Sequence, residues 1–252
     1  MKKRVFIWGL FFALIVGGCA PSHKTNPLRE KDIQARFDLA NSYLAQGKPR
    51  LSLLELSKIE KRCEHLPYFY FVKGMVYLSL RDARNAVRYF KKALSLNPAY
   101  GDVWNNLGLA YVLLHKEEDA ERCFKKALSI ESYTTPEYAA HNLSVLYERE
   151  KKYPLAIEYE KKALLQNWRY LPSYIHLAHL YVKIGKYKRA VACLNRARES
   201  FPDNPRIYYL LGENYLRINR EEDAKFAFER AVELSKDPSL TRMARDYLEM
   251  LK

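Results

Sequence analysis

Glycine is scarce in this chain, with 9 in 252 residues. That argues against a loop-rich fold and against a glycine-cradled nucleotide site. Four cysteines are too few to staple a chain of this size, so no disulfide scaffold is expected. The longest apolar run, Val5 to Val16, is too short to span a bilayer, and charged residues make up 29% of the chain, which excludes a polytopic membrane protein. No Gly-x-x-x-x-Gly-Lys loop and no Gly-x-Ser-x-Gly elbow occurs, and no nucleophile has a base beside it. Catalysis, a cofactor and a small-molecule substrate are therefore not expected. Carboxylates are outnumbered, 29 against 43 lysines and arginines, for a formal charge of +14.

The N-terminus has its own grammar. Lys2, Lys3 and Arg4 precede the apolar run, which ends in Gly17-Gly18-Cys19. A positive start, a short apolar stretch and small residues at a cut site read as a secretory signal. Val16-Gly17-Gly18-Cys19 resembles the bacterial lipobox. That resemblance implies a signal peptide over 1–18, acylation of the Cys19 thiol and a tether over 19–32. Lipidation anchors through buried methylenes, each contributing about 0.8 kcal/mol. Ala20, where Asp would mark inner-membrane retention, implies the outer membrane, facing the periplasm. Without residues 1–18 the formal charge is +11.

The remainder is one unit repeated. Tyrosines fall at 43, 77, 111, 147, 181 and 215, stepping by 34 except for one step of 36. Alanines keep the same ruler at 86, 120, 156, 190 and 224, and again at 93, 127, 163, 197 and 231. A copy such as Trp104-x2-Leu107-Gly108-x2-Tyr111 followed by Ala120-x3-Phe124-x2-Ala127 carries the signature of the tetratricopeptide repeat. The resemblance implies an all-α solenoid of antiparallel helix pairs. The copies run over 33–66, 67–100, 101–136, 137–170, 171–204 and 205–238, with a capping helix over 239–252. Small residues at Gly74, Gly108, Ala178 and Gly212 let the two helices of a hairpin approach closely. No hairpin buries its own apolar face alone, so stacked copies share one core. The third copy is two residues longer, through Ser132-Tyr133-Thr134-Thr135-Pro136, and a local change of superhelical pitch is expected there. Cys63, Cys123 and Cys193 read as small, semi-buried free thiols.

Metal-ligand spacing is present but incomplete. His176-x-x-His179 and Glu137-x3-His141 each suit one helix face, yet neither has a third ligand nearby in sequence, so no metal site is expected. Two surfaces remain. The first helices of the hairpins line the concave side, where position places Tyr68, Phe71, Met75, Asn105, Leu109, Tyr138, His141, Val145, Ile175, His179 and Tyr209. Aromatic and aliphatic side chains with a few polar ones suit a peptide or an amphipathic helix lying in a groove. The second helices carry a basic row on the convex side: Lys92, Lys126, Lys162, Arg196 and Arg230. It faces either an anionic partner or only solvent. A nucleic-acid partner is not expected, because the charge is spread along the solenoid and the signal exports the chain.

A lipobox followed by about six such repeats is similar to the pilotin family of type IV pilus biogenesis and stability lipoproteins (PilF/PilW). The likeness includes the extended link after the third copy, with Asn105-Asn106 before it and Asn142-Leu143 after it. It implies a non-catalytic outer-membrane scaffold that binds the secretin subunit and promotes its localisation and assembly. Repeat lipoproteins that act in barrel assembly, or as adaptors for peptidoglycan hydrolases, are the alternative. In either case the partners are a protein client, a secretin subunit or another envelope assembly protein, and the membrane through the N-terminal lipid.

Overall fold

The computed structural model describes residues 27–252. The expected signal peptide over 1–18, Cys19 and the expected tether as far as residue 26 lie outside the described residues. Among the described residues there are thirteen α-helices and no strand. Twelve form six hairpins: α1 (Pro27–Ala45) with α2 (Pro49–Cys63), α3 (Pro67–Ser79) with α4 (Ala83–Leu96), α5 (Gly101–Leu113) with α6 (Glu117–Leu128), α7 (Pro136–Arg149) with α8 (Tyr153–Gln166), α9 (Leu171–Lys183) with α10 (Tyr187–Ser200), and α11 (Pro205–Leu216) with α12 (Glu221–Leu234). The thirteenth, α13 (Pro238–Met250), packs on α12 and α11. Helix α1 begins six residues before the expected start of the first copy, so residues 27–32 are helix rather than tether.

Each hairpin turns the same way. The residue after the first helix sits in the left-handed region at one fixed phase: Gly47, Arg81, His115, Lys151, Gly185 and Asn219, with φ between 55° and 70°. The amide that follows reaches back to the carbonyl of the ruler tyrosine: Lys48 to Tyr43, Asp82 to Tyr77, Lys116 to Tyr111, Lys152 to Tyr147, Lys186 to Tyr181 and Arg220 to Tyr215, at 2.8–3.0 Å. This backward bond satisfies a carbonyl that the helix end would otherwise orphan. Several helices carry a proline in their first two positions, α2, α3, α7, α8, α9, α11 and α13 among them. Asp82 caps α4 by accepting from Asn85 N–H, and Asn204 caps α11 by accepting from Arg206 N–H.

Within a hairpin, a small residue on the first helix meets a large one on the second. A Cβ added to Gly74 would stand 2.4 Å from the Phe90 ring, one on Gly108 2.5 Å from Phe124, and one on Gly212 2.6 Å from Phe228. The three phenylalanines are fully buried. The equivalent pairs are Ala40 with Leu56 and Ala178 with Leu194. In the fourth hairpin alone the pair is polar, Ser144 with Glu160.

Helices touch mainly their chain neighbours. The first helices also touch one another in succession, α1 to α3, α5, α7 and α9, while the second helices do not pack on each other. The stack therefore curves with the first helices inside. Along the inner row, contact is weakest between α9 and α11.

The two extra residues of the third copy fold inward. Tyr133 is buried against Gly101, where a Cβ would stand 2.5 Å from its ring, and it joins Ala127, Ala139 and Trp104 in a small separate core. At the far end, Tyr247 stacks on Phe228 at 4.6 Å, and Ala244, Leu240, Leu248 and Leu251 close the core. Met243 on the same helix is 42% exposed and stays outside that core. Cys63, Cys123 and Cys193 are free and fully buried rather than semi-buried, and burial pushes the thiols of Cys123 and Cys193 up to about 12.

Two stability outcomes follow from this geometry. Gly108→Ala forces the Phe124 ring to move, and it lowers unfolding stability in urea by about 1–3 kcal/mol, the usual cost of overpacking. Lys151→Gly removes a side chain from the left-handed region, and it leaves stability unchanged or raises it by up to about 1 kcal/mol.

Candidate functional site

The inner face of the last three hairpins forms a cavity of about 1140 Å³, open along one side, where contact between α9 and α11 is weakest. Its apolar lining comes from Val145, Leu171, Ile175, Val182 and Leu210, and its charged lining from His141, Glu148, His176, His179, Lys183, Glu213 and Arg217. A groove of this size and mixed polarity holds an extended or helical peptide segment.

The residues assigned to the groove from sequence divide in three. His141, Val145, Ile175 and His179 line this cavity together. Tyr68, Phe71, Met75 and Leu109 are half-buried on the inner helices of the second and third hairpins. There Phe71 packs on Tyr100 at 5.3 Å, and the Tyr68 hydroxyl accepts from Asn41 at 2.7 Å. Tyr138 lies at the edge, 44% exposed, with its ring edge-on to Tyr170. Two assignments need correction. Asn105 is buried and accepts a hydrogen bond from Asn142 at 2.9 Å, so it ties α5 to α7 instead of facing a ligand. Tyr209 is buried between Phe228 and Tyr247, because α13 folds over the inner face of the last hairpin.

Local spacing also misjudged the histidines. Glu137 does not pair with His141; it accepts from Asn167 at 2.8 Å. His141 Nδ1 instead lies 2.7 Å from Glu160 Oε1, and His176 Nδ1 reaches the same oxygen at 2.5 Å. His176 Nε2 contacts Glu148 at 2.9 Å, and His179 Nε2 contacts the other oxygen of Glu148 at 3.0 Å. Neither pair read from sequence is thus kept: one histidine from each, His141 and His176, meets Glu160 on the neighbouring helix α8. Burial works against charge on Glu160, yet the hydrogen bonds from His141 and His176 hold its carboxyl below the ordinary glutamate value. Burial likewise opposes charge on His176, but Glu160 and Glu148 outweigh it and raise its pKa. Glu148 is held down by His176 and His179 against its own burial. The surroundings thus favour the charged forms of Glu160, Glu148 and His176 in the wall of the groove.

The basic row lies on the outer helices. Lys92, Lys126, Lys162 and Arg196 are exposed, and Arg230 is partly so. Lys162 pairs with Glu158 at 2.7 Å and sits over the Tyr159 ring. Arg230 pairs with Glu233 and lies over Tyr208, and Lys92 lies over Tyr70. Exposed pairs of this kind contribute little, ~0–1 kcal/mol. No helix among the described residues is long and apolar enough to cross a membrane.

Three family models of the tetratricopeptide repeat match residues 67–100, 101–133 and 176–239, together just over half of the chain. Two proteins match it by sequence. An uncharacterized Haemophilus influenzae protein is 30% identical over 102 residues, 39% of this chain and 55% of its own length. A Drosophila melanogaster homolog of the BBSome complex member BBS4 is 24% identical over 62% of this chain and 34% of its own length. The chain thus matches only about half, or a third, of those relatives. Among solved structures, PilW, described as a widely conserved type IV pilus biogenesis factor, superposes with a TM-score of 0.70 at 18% identity, covering 87% of this chain and 99% of PilW. Pseudomonas aeruginosa PilF gives 0.70 at 19% identity, covering 86% and 98%. YrrB, described as having an unusual peptide-binding site, gives 0.56 at 18% identity, covering 76% of this chain and 97% of YrrB. The repeat period, the uniform hairpin turn and the family matches agree that this chain belongs to the tetratricopeptide-repeat family.

Proposed function

We propose that this protein is a non-enzymatic scaffold, tied to the outer membrane by lipid on Cys19 and facing the periplasm. In this reading it holds a secretin subunit in its inner groove and promotes secretin localisation and assembly during type IV pilus biogenesis. The observation that carries the reading is the superposition on nearly the whole of PilW and of PilF, both at a TM-score of 0.70. Val16-Gly17-Gly18-Cys19 and Ala20 support the anchor and its membrane. The open groove between α9 and α11 supports a protein client, because its apolar floor and charged rim match what a peptide segment presents.

A pull-down from detergent extract tests the client. The full chain retains secretin, whereas retention of only barrel-assembly subunits or peptidoglycan hydrolases overturns the assignment. The double substitution Ile175→Glu/Val182→Glu places charges on the groove floor and lowers capture at least tenfold, about 1.4 kcal/mol. Lys92→Glu/Lys126→Glu, on the outer helices, leaves capture within about twofold, because exposed outer charges add little; the opposite pattern would move the binding surface to the convex side. For the anchor, a Cys19→Ser protein leaves the outer-membrane fraction and is recovered soluble in the periplasm. If it stays with the outer membrane, the lipid is not what holds it.

A further inference from the structure

The polar cluster in the groove wall stands where the rest of the solenoid is apolar. Glu160 occupies the position held by Leu56, Phe90, Phe124, Leu194 and Phe228 in the other hairpins, every one of them fully buried. Its partner Ser144 stands where the others have Gly or Ala. Glu148 occupies the position of Leu44, Leu78, Val112, Val182 and Leu216, and Ser173 that of Phe69, Val103, Ala139 and Ile207. Three polar residues at core positions, Glu160, Ser144 and Ser173, and one at a half-buried position, Glu148, converge between the fourth and fifth hairpins. Removing a Phe-sized apolar group there forfeits about 1.5–3 kcal/mol of burial, and a carboxylate in its place must also be desolvated.

We propose that His141, Glu160 and His176 form a binding site for a divalent transition-metal ion of the zinc class. Two imidazole nitrogens and one carboxylate oxygen are a ligand set that zinc and its neighbours take, leaving a position open to the groove. The three ligand atoms lie within 4.8 Å of one another, on the three helices α7, α8 and α9. Ligands at about 2.0–2.1 Å around a tetrahedral ion stand roughly 3.3 Å apart, between the 2.5 Å closest contact and that outer limit. Glu160 is fully buried, both imidazoles turn a ring nitrogen to its Oε1, and the Ser173 hydroxyl supports the carboxylate. The outer ligand support is also built. Metal binding displaces the proton from His176 Nδ1; Glu148, 2.9 Å from Nε2, then accepts the remaining N–H and holds the ring with Nδ1 toward Glu160, the carboxylate–histidine–metal arrangement. Ser144 Oγ, 3.3 Å from the same Nδ1, donates at 2.8 Å to the Ala156 carbonyl and is held in place.

The experiment is titration of the full chain, stripped of metal by a chelator, with Co(II) and Zn(II) at neutral pH. One Co(II) per chain binds with visible d–d bands of low coordination number, and Zn(II) displaces it. Glu160→Gln lowers affinity at least 100-fold, and Glu148→Gln lowers it 10–100-fold, as loss of an outer-shell carboxylate does. The double variant Ser144→Gly/Glu160→Phe restores the small–large pair of the second, third and sixth hairpins. It binds no ion and unfolds at the same or a higher temperature than the metal-free parent. If that variant fails to fold, the Glu160→Gln result decides. No stoichiometric Co(II) binding by the parent overturns the site, as does binding that survives Glu160→Gln unchanged; the cluster is then an ionic network only.

Discussion

The solenoid depends on one contact made six times, a small residue on the inner helix under a large one on the outer helix. It sets the distance between the helices of a hairpin and thereby the rise of the stack. Gly74, Gly108 and Gly212 are required because the faces of Phe90, Phe124 and Phe228 already occupy the space that a Cβ would need. The hairpin turn is subordinate to this contact. Three of its six left-handed residues are Arg81, His115 and Lys151, which tolerate the strain only because packing on both sides fixes the helix ends. Since each hairpin packs mainly on its chain neighbours, a weak pair in one place is borne by the stack on either side.

Curvature divides the labour between the two helix rows. The inner helices meet one another, so the residues between those contacts define a continuous groove. The outer helices do not meet, and their lysines and arginines find local carboxylates or tyrosine faces. Where contact between α9 and α11 is weakest, the groove deepens into the cavity, and His141, Glu148, His176 and His179 stand on its wall. The same weak contact in the inner row leaves the volume a client can enter.

Much of this could be read from spacing alone, because a solenoid repeats its local rules. The tyrosine ruler located every hairpin turn, since the tyrosine carbonyl is the acceptor of the backward bond. The small–large pairs were legible at Gly74, Gly108, Ala178 and Gly212. What escaped depends on contacts between elements. Glu160 lies 19 residues from His141 and 16 from His176, so no single-helix spacing connects them. An internal alignment at the phenylalanine position would have exposed it, as the only charged residue in that column. Tyr209 was misplaced for a related reason: the groove rule holds for an inner helix with a free face, and α13 takes that face away. Tyr133 belonged to an insertion that seemed to lengthen a loop, yet its ring fills the space that Gly101 leaves empty.

The position of the polar cluster sharpens what the fourth hairpin contributes. An apolar pair would have done the structural task there, as it does in the other five. A buried carboxylate must be desolvated where a phenylalanine need not be, and the imidazoles and the Ser173 hydroxyl beside it offset only part of that cost. A solenoid can carry such a defect in its middle, where two intact hairpins brace each side, far more easily than at an end. The defect is also turned inward, toward the groove, and its charged groups line the same wall as Val145 and Ile175. Core and binding surface are therefore not separate layers in this region. His141 and His176 line the groove and lean directly on Glu160 behind its wall, so occupancy of the groove and cohesion of the fourth and fifth hairpins act on connected side chains.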